Sequence, residues 1–290
     1  MYRHPAAYDT HGERGAAGRA MRILTLLILT VGAIVMIMPF AWMVSTACKP
    51  PQELNRLPVQ WIPNNPSCLE NLERLYRTSP DFNRYMVNTA FMTVGRTLGQ
   101  LITCSLAAYG FARFRFPGRN VVFALCLGLL MVPFQAIVIP EFVLVRSLGW
   151  RNTFAALIVP GVFSAFAMFL LRQAFLQIPV ELEEAAMLDG ANPLQILVRI
   201  VLPLSIPALA AFAVITMQAA WNDFLWPLVI ANAPETRVVT IGISLLQGQR
   251  DTPWNLLMMG SFLATLPMLI IFVVFQRYFI EGVSSSGLNR

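Results

Sequence analysis

Residues 179–203 read PVELEEAAMLDGANPLQILVRIVLP, and long apolar runs flank them on both sides. Four of the fifteen acidic residues, Glu181, Glu183, Glu184 and Asp189, fall within nine positions here. The pattern predicts a short helix. Pro179 suits the first helical position, where a missing N–H costs nothing. The glutamates then lie in the first turn, near the positive end of the helix dipole. Gly190 is placed for a left-handed cap, and Pro193 prevents a simple continuation. About ten residues of helix extend roughly 15 Å, half the ~30 Å hydrocarbon core of a bilayer, so this helix cannot span one. Ala185, Ala186 and Gly190 give it a side that another surface can approach closely. A second helical run, 194–202, leads into the next apolar segment. Read from these residues alone, a solvated loop between two membrane helices fits equally well.

The composition sets the class. The 290 residues are 57% hydrophobic and 12% charged, with a mean hydropathy of +0.62. Soluble chains carry about a quarter charged residues, so the expected fold is an all-α integral membrane protein. The net charge of +6 comes from basic residues scattered between apolar runs, with no basic stripe and no nucleic-acid module,. Nucleic acid is therefore not an expected partner; anionic lipid beside short basic loops is. The two histidines, His4 and His11, both precede the first apolar run, which leaves no histidine for a proton relay or metal site in the membrane. Lys49 is the only lysine, between Cys48 and Pro50, so the chain has no P-loop,. The four cysteines form no CxxC pair and no metal-spaced cluster,. Cys104 and Cys126 read as inert apolar residues. Cys48 and Cys68 share one loop, where a disulfide is open to them if that side is oxidising.

Six apolar runs follow in order: 23–47, 88–111, 121–145, 153–175, 206–230 and 256–278. The first has 25 residues, longer than the ~7–15 of a signal-peptide core,. The expected organisation is a cytoplasmic tail (1–22), a first transmembrane helix (23–47) and an extracytoplasmic loop (48–87). A five-helix core (88–280) and a cytoplasmic tail (281–290) complete it. In the 48–87 loop, residues 69–76 suggest one or two helical turns. This arrangement puts eleven basic residues inside and nine outside, with Arg96 in the second run. The positive-inside rule thus favours both termini in the cytoplasm. Arg96 either lies buried in the bundle or snorkels from a helix whose boundary is misplaced. Prolines at 133, 140, 160, 207, 227 and 267 lie within or at the ends of the runs, as in a pathway-lining bundle or in ordinarily kinked helices,.

One spacing is specific. Glu184-Ala185-Ala186, three residues, Gly190, nine residues, Ile200, one residue, Leu202-Pro203 resembles the EAA motif of ABC-importer permeases at every fixed position. The flanking ELEEAAMLDGA is similar to the carbohydrate branch of that family, the maltose and glycerol-3-phosphate type. Other stretches resemble the same branch, among them AAY at 107–109 with FRFPGR, VPFQ at 132–135, WNDFLWPL at 221–228 and QRYF at 276–279. The resemblance covers roughly residues 82–282. It departs at the C-terminus, where VSSSGLNR stands in place of a small-residue run.

The resemblance implies a type I importer fold of six transmembrane helices, with residues 179–190 as a cytoplasmic coupling helix. Glu183, Glu184, Ala185, Ala186, Leu188, Asp189 and Gly190 would then bind a separate ATPase. The implied partners are a second permease subunit in a heterodimer, two cytoplasmic ATPase subunits, an extracytoplasmic solute-binding protein, membrane lipid and a carbohydrate-like solute. The chain would be a non-catalytic subunit of a bacterial cell membrane, without a cofactor of its own; ATP-Mg belongs to the partner ATPase. Pro133, Gln135, Trp221, Asn222 and Asp223 are the candidate translocation path, although aromatics at a helix end are more often interface anchors. The competing reading is an ion-gradient-driven secondary transporter using Arg96, Glu141 and Asp223 near a midplane site. The scarcity of such charges and the lack of a visible internal repeat weigh against it.

Overall fold

The computed structural model describes residues 16–54, 56–58, 60–248 and 252–285. The expectations for the first fifteen residues and for the last five lie outside these. Every regular element among the described residues is helical. The chain divides into two compact units, one of residues 1–72 with 254–262 and the other of 73–253 with 263–290.

In the first unit, helix α1 (Ala16–Ala47) is 32 residues long and contains Pro39. It starts within the expected tail, before residue 23. Its large apolar side chains from Met21 to Met38 are exposed, as suits a helix facing lipid or a partner,. The segment that follows α1 is tied back to it, and α2 (Pro51–Leu54) lies within that segment. Cys48 and Cys68 are joined by a disulfide. Asn71 Nδ2 donates to the carbonyls of Ala47 (2.8 Å) and Lys49 (2.9 Å), which closes the C-terminal end of α1,. Asn255 Nδ2 donates to Asn71 Oδ1 at 2.9 Å. The buried Lys49 lies over the Trp42 ring, 4.1 Å from its centroid. Burial lowers its pKa from the ordinary lysine value, with Glu53 acting the other way. The expected one or two turns at 69–76 are the eleven-residue α3 (Cys68–Thr78).

The second unit is built on α4 (Phe82–Arg113), which starts earlier than residue 88 and runs 32 residues. Asn88 does not mark the boundary. It is buried, and its amide donates to the carbonyls of Glu235 (2.9 Å) and Arg237 (2.8 Å). Gly95 and Gly99 stand one turn apart on α4. A Cβ at Gly99 would lie 2.6 Å from Val162 Cγ1 and 2.9 Å from its Cβ, so only glycine allows this approach, while at Gly95 it would press on the flexible end of Ile158, 2.8 Å from Cδ1,.

The third, fourth and fifth runs are broken helices rather than straight spans. Helix α5 (Arg119–Gly128) continues through a 3-10 turn (Leu129–Met131) and meets α6 (Phe134–Ser147) at 103°. Pro133 forces Val132 into extended backbone (φ −85°, ψ 114°) and so breaks the helix,. Helix α7 (Phe154–Ile158) with its 3-10 turn (Val159–Gly161) meets α8 (Ala165–Leu176) at 46°. After α9 (Val180–Leu188), the run of α10 (Pro193–Ile196), a π-helical turn (Leu197–Val201) and α11 (Leu202–Leu204) meets α12 (Ile206–Trp221) at 81°. The fifth run breaks again at Asn222 before α13 (Leu225–Ile230). Helices α14 (Val239–Leu245) and α15 (Trp254–Ser285) complete the order.

By length and composition, two helices can cross a membrane, and up to five spans result if each bent pair is one. Helix α4 covers the remaining expected run. It is long enough, at about 48 Å, and less apolar because it holds Arg84, Arg96 and Arg113. It packs against α7, α8, α12 and α14. One buried cluster joins Tyr109 and Ala108 of α4 to Met168, Leu171 and Phe175 of α8 and to Phe212 of α12. A second joins Met92 to Leu157, Trp226, Ile230 and Ile241.

Candidate functional site: the coupling loop and the polar helix breaks

The loop after α8 is a pair of capped helices. Pro179 is the N-cap of α9 rather than its first helical residue (φ −56°, ψ 131°). At the other end Gly190 takes φ +84°. Its N–H donates to Met187 O (3.0 Å), and the Ala191 N–H reaches back to Ala186 O (2.9 Å). This is the double bond of a Schellman cap, which needs a residue free to adopt left-handed backbone. Two residues later a capping box opens α10: Asn192 and Gln195 exchange reciprocal 2.9 Å bonds, with Pro193 at the first helical position,. The π-helical turn then carries Arg199 and Ile200. Wide turns of this kind are frequent at functional positions.

Glu183 departs from the ATPase-binding set read from the sequence. It is buried, and its Oε1 accepts from Arg113 Nε at 2.5 Å. Its Oε2 accepts from Tyr109 Oη at 3.3 Å. Arg113 Nη2 also donates to the carbonyls of Phe175 and Ile178, each at 2.8 Å. One guanidinium therefore fastens α9 and the end of α8 to the end of α4. The physical reason is periodicity: Glu183 falls on the face of α9 that packs inward. Glu184, Ala185, Leu188, Asp189 and Gly190 are exposed, and Ala186 is half-buried. Leu188 is 90% exposed, a large apolar side chain at the tip of a loop. A cleft of about 400 Å³ lies between Ala186, Gly190, Gln195 and Arg199.

The candidate path residues separate. Trp221 is buried and its indole N–H donates to Ala264 O at 2.9 Å, which marks it as a packing residue. Asn222 is exposed and bonds its own helix at Gln218 O (2.9 Å). Pro133 and Gln135 are exposed at the 103° bend. Asp223 alone of the five meets a charge: its Oδ2 accepts from Arg96 Nη1 at 2.7 Å. Arg96 is thus buried in the bundle rather than snorkelling.

Arg96 serves the broken fourth run as well. Pro160 cannot donate to Ala156 O, and Trp226 Nε1 takes that carbonyl at 2.8 Å,. Arg96 Nε donates to Leu157 O (2.6 Å) and Gln100 Nε2 to Gly161 O (2.7 Å). The backbone freed at membrane depth is thereby satisfied by side chains. Sequence reasoning missed Gln100 and Thr216, whose hydroxyl donates to Gln100 Oε1 at 3.1 Å. The signal was present: Gln100 stands four residues beyond Arg96, on the same helix face. Among the described residues no His, Cys, Asp and Glu group has the arrangement of a metal site.

Residues 100–285 match the family of the binding-protein-dependent transport system inner membrane component. The chain belongs to this family. It is 32% identical over 268 residues to the arabinooligosaccharides transport system permease protein AraQ of Halalkalibacterium halodurans, covering 90% of this chain and 96% of that one. It is 34% identical over 276 residues to the trehalose/maltose transport system permease protein MalG of Thermococcus litoralis, with 92% and 98% covered. The sn-glycerol-3-phosphate transport system permease protein UgpE of Escherichia coli is 34% identical over 269 residues, with 90% and 95% covered. In fold, the chain is similar to a chain of a bacterial ABC transporter involved in the import of the acidic polysaccharide alginate. The TM-score is 0.81 at 24% identity, over 91% of this chain and 98% of that one. The protein is thus an inner-membrane permease of a binding-protein-dependent ABC importer and not an enzyme. An ion-gradient-driven transporter is set aside.

Proposed function

We propose that this permease forms half of the path for a carbohydrate- or polyol-like solute, paired with a second permease chain. Two cytoplasmic ATPase subunits holding ATP-Mg drive it through residues 179–190, and an extracytoplasmic binding protein delivers the solute. The observation that carries the reading is the asymmetry of α9. Its inner face is rooted to α4 by Glu183 and Arg113, while the side chains of Glu184, Ala185, Leu188 and Asp189 face outward with no partner among the described residues. A short helix so held moves as a unit with α4. The names of the relatives, which cover arabinooligosaccharides, trehalose/maltose and sn-glycerol 3-phosphate, support the solute class. The Cys48–Cys68 disulfide supports placing residues 48–68 on the oxidising side and both termini in the cytoplasm,.

The test is co-purification from the native membrane in mild detergent, with uptake measured in vesicles. A P-loop ATPase and a second permease chain should accompany the protein. Glu184→Arg with Gly190→Trp should release the ATPase while this chain stays inserted. Uptake should persist when proton and sodium gradients are collapsed with ATP maintained. A chain that purifies alone and transports without ATP would contradict the proposal.

A further inference from the structure

Two helices of the first unit end at one level. The span in α1 closes at Ala47, and the span in α15 opens at Trp254. Asn71 Nδ2 donates to the carbonyls of Ala47 and Lys49, and Asn255 Nδ2 donates to Asn71 Oδ1 at 2.9 Å. The segment closed by the Cys48–Cys68 bridge folds back from that level along α1. Ser45 Oγ donates to Trp61 O, and the Trp61 ring stands edge-on to Trp42, with 4.9 Å between centroids. Ser45 and Trp42 lie two and five residues before Ala47, about 3 and 7.5 Å back along the helix axis. Trp61 is therefore held on the membrane side of the level at which both spans end.

Burial in this segment is the reverse of that in a water-facing loop. Lys49 and Glu53 are buried, and Glu53 Oε2 accepts from the Asn64 N–H at 3.1 Å. Leu57 and Ile62 are 87% and 80% exposed, and Trp61 is exposed beside them. Residues 56–62 carry Arg56, also exposed, and no acid that would repel a phosphate. Trp254 is a further exposed aromatic at the mouth of the second span, and tryptophans gather where a membrane meets water.

We propose that residues 56–62 are a membrane-interface anchor, with Leu57, Trp61 and Ile62 sunk to the headgroup–acyl boundary of phospholipid and Arg56 turned to its phosphates. That the leaflet is the outer one rests on the orientation given above; the lipid contact does not. The depth agrees, since interfacial elements bury their apolar side about 5–10 Å into that boundary. The patch also continues the exposed apolar surface of α1, which reaches Val44. Lipid suits this surface better than a second chain. Leu26, Leu27, Ile28 and Leu29 are all exposed, and four successive residues cover a whole helical turn. A packed helix covers one stripe of such a surface, whereas lipid surrounds it. The bridge and the Glu53–Asn64 bond then hold the anchor at a set depth beside the ends of both spans.

The experiment puts a benzophenone amino acid in place of Leu57 or Ile62 in the full chain and irradiates native membranes whose phospholipids carry radiolabelled phosphate. Both side chains are exposed, so the label displaces no packing. The same label in place of Ile28, on the bare part of α1, is the reference for lipid capture. In place of Glu73, in the exposed Glu73–Arg77 ion pair, it is the reference for water. The purified chain should carry radiolabel from positions 57 and 62 at a level near that of position 28 and several-fold above that of position 73. Phospholipase C should remove it, which separates phospholipid from bound free phosphate. Crosslinks from both positions to a second permease chain or to a solute-binding protein, without radiolabel, would overturn the anchor and make the patch a protein-docking surface. No adduct from either position while position 28 captures lipid would also overturn it, leaving a loop in water. Capture of lipid needs neither ATPase nor uptake, so its failure is distinct from a failure of the importer proposal.

Discussion

Arg113 holds three groups with one guanidinium, and its partner Glu183 is almost wholly buried. Removing one member of such a pair leaves the other as an uncompensated buried charge, at a cost of about 3–5 kcal/mol. Arg113→Met should therefore lower the detergent melting temperature of the purified complex by several degrees. Glu183→Leu in the same chain should recover part of the loss. It should not recover all of it, because the Phe175 and Ile178 carbonyls lose their donor in both. Gly190 makes a different prediction. A Cβ there meets nothing within 4 Å, so the cost of Gly190→Ala is the left-handed backbone alone (φ +84°), about 1 kcal/mol. ATP-driven uptake should survive Gly190→Ala and fail in Gly190→Trp, where the bulk meets a docked partner. Equal loss in both variants would assign the effect to the cap instead.

Helix α4 carries the site at the scale of elements. Arg96 near its middle and Arg113 at its end each hold a carboxylate from another helix, Asp223 and Glu183. The close contact with the fourth span depends on Gly99. Gly99→Leu should reduce the yield of monodisperse protein in size-exclusion chromatography, whereas Gly110→Ala, where a Cβ meets nothing within 4 Å, should not. The six apolar runs and the Gly190 cap of α9 were legible in the sequence, whereas the Gly-x-x-x-Gly spacing of Gly95 and Gly99 takes its meaning only from the fourth span packed against it. The bends were legible only as prolines. Pro133, Pro160 and Pro207 gave the positions, but a bend angle depends on what takes up the freed carbonyls. Those partners, Trp226, Arg96 and Gln100, come from distant segments. For the same reason the sequence could not separate Glu183 from Glu184. Adjacent glutamates in a first turn look alike until α4 supplies Arg113 on one side. The packing of the Trp221 indole could not be read locally either, because its acceptor, Ala264 O, lies 43 residues away.

For the whole molecule, the four cysteines give a direct check on sidedness. Denatured protein kept unreduced should show two reactive thiols, Cys104 and Cys126, and four after reduction. Four before reduction would remove the support for an oxidising side at residues 48–68. The family was legible because the EAA spacing is long and specific, and it fixes the class of machine. The solute is not written in the same way, since relatives of nearly equal identity to this chain carry names that specify different solutes. The central claim is that α9 meets an ATPase with its outer face. The most direct measurement places a benzophenone amino acid at position 188, where Leu188 is 90% exposed, and irradiates native membranes. The account predicts a crosslink to a P-loop ATPase from position 188, absent when the label replaces Leu57 in the disulfide-closed segment. A crosslink from position 188 only to lipid or to a second copy of this chain would contradict it.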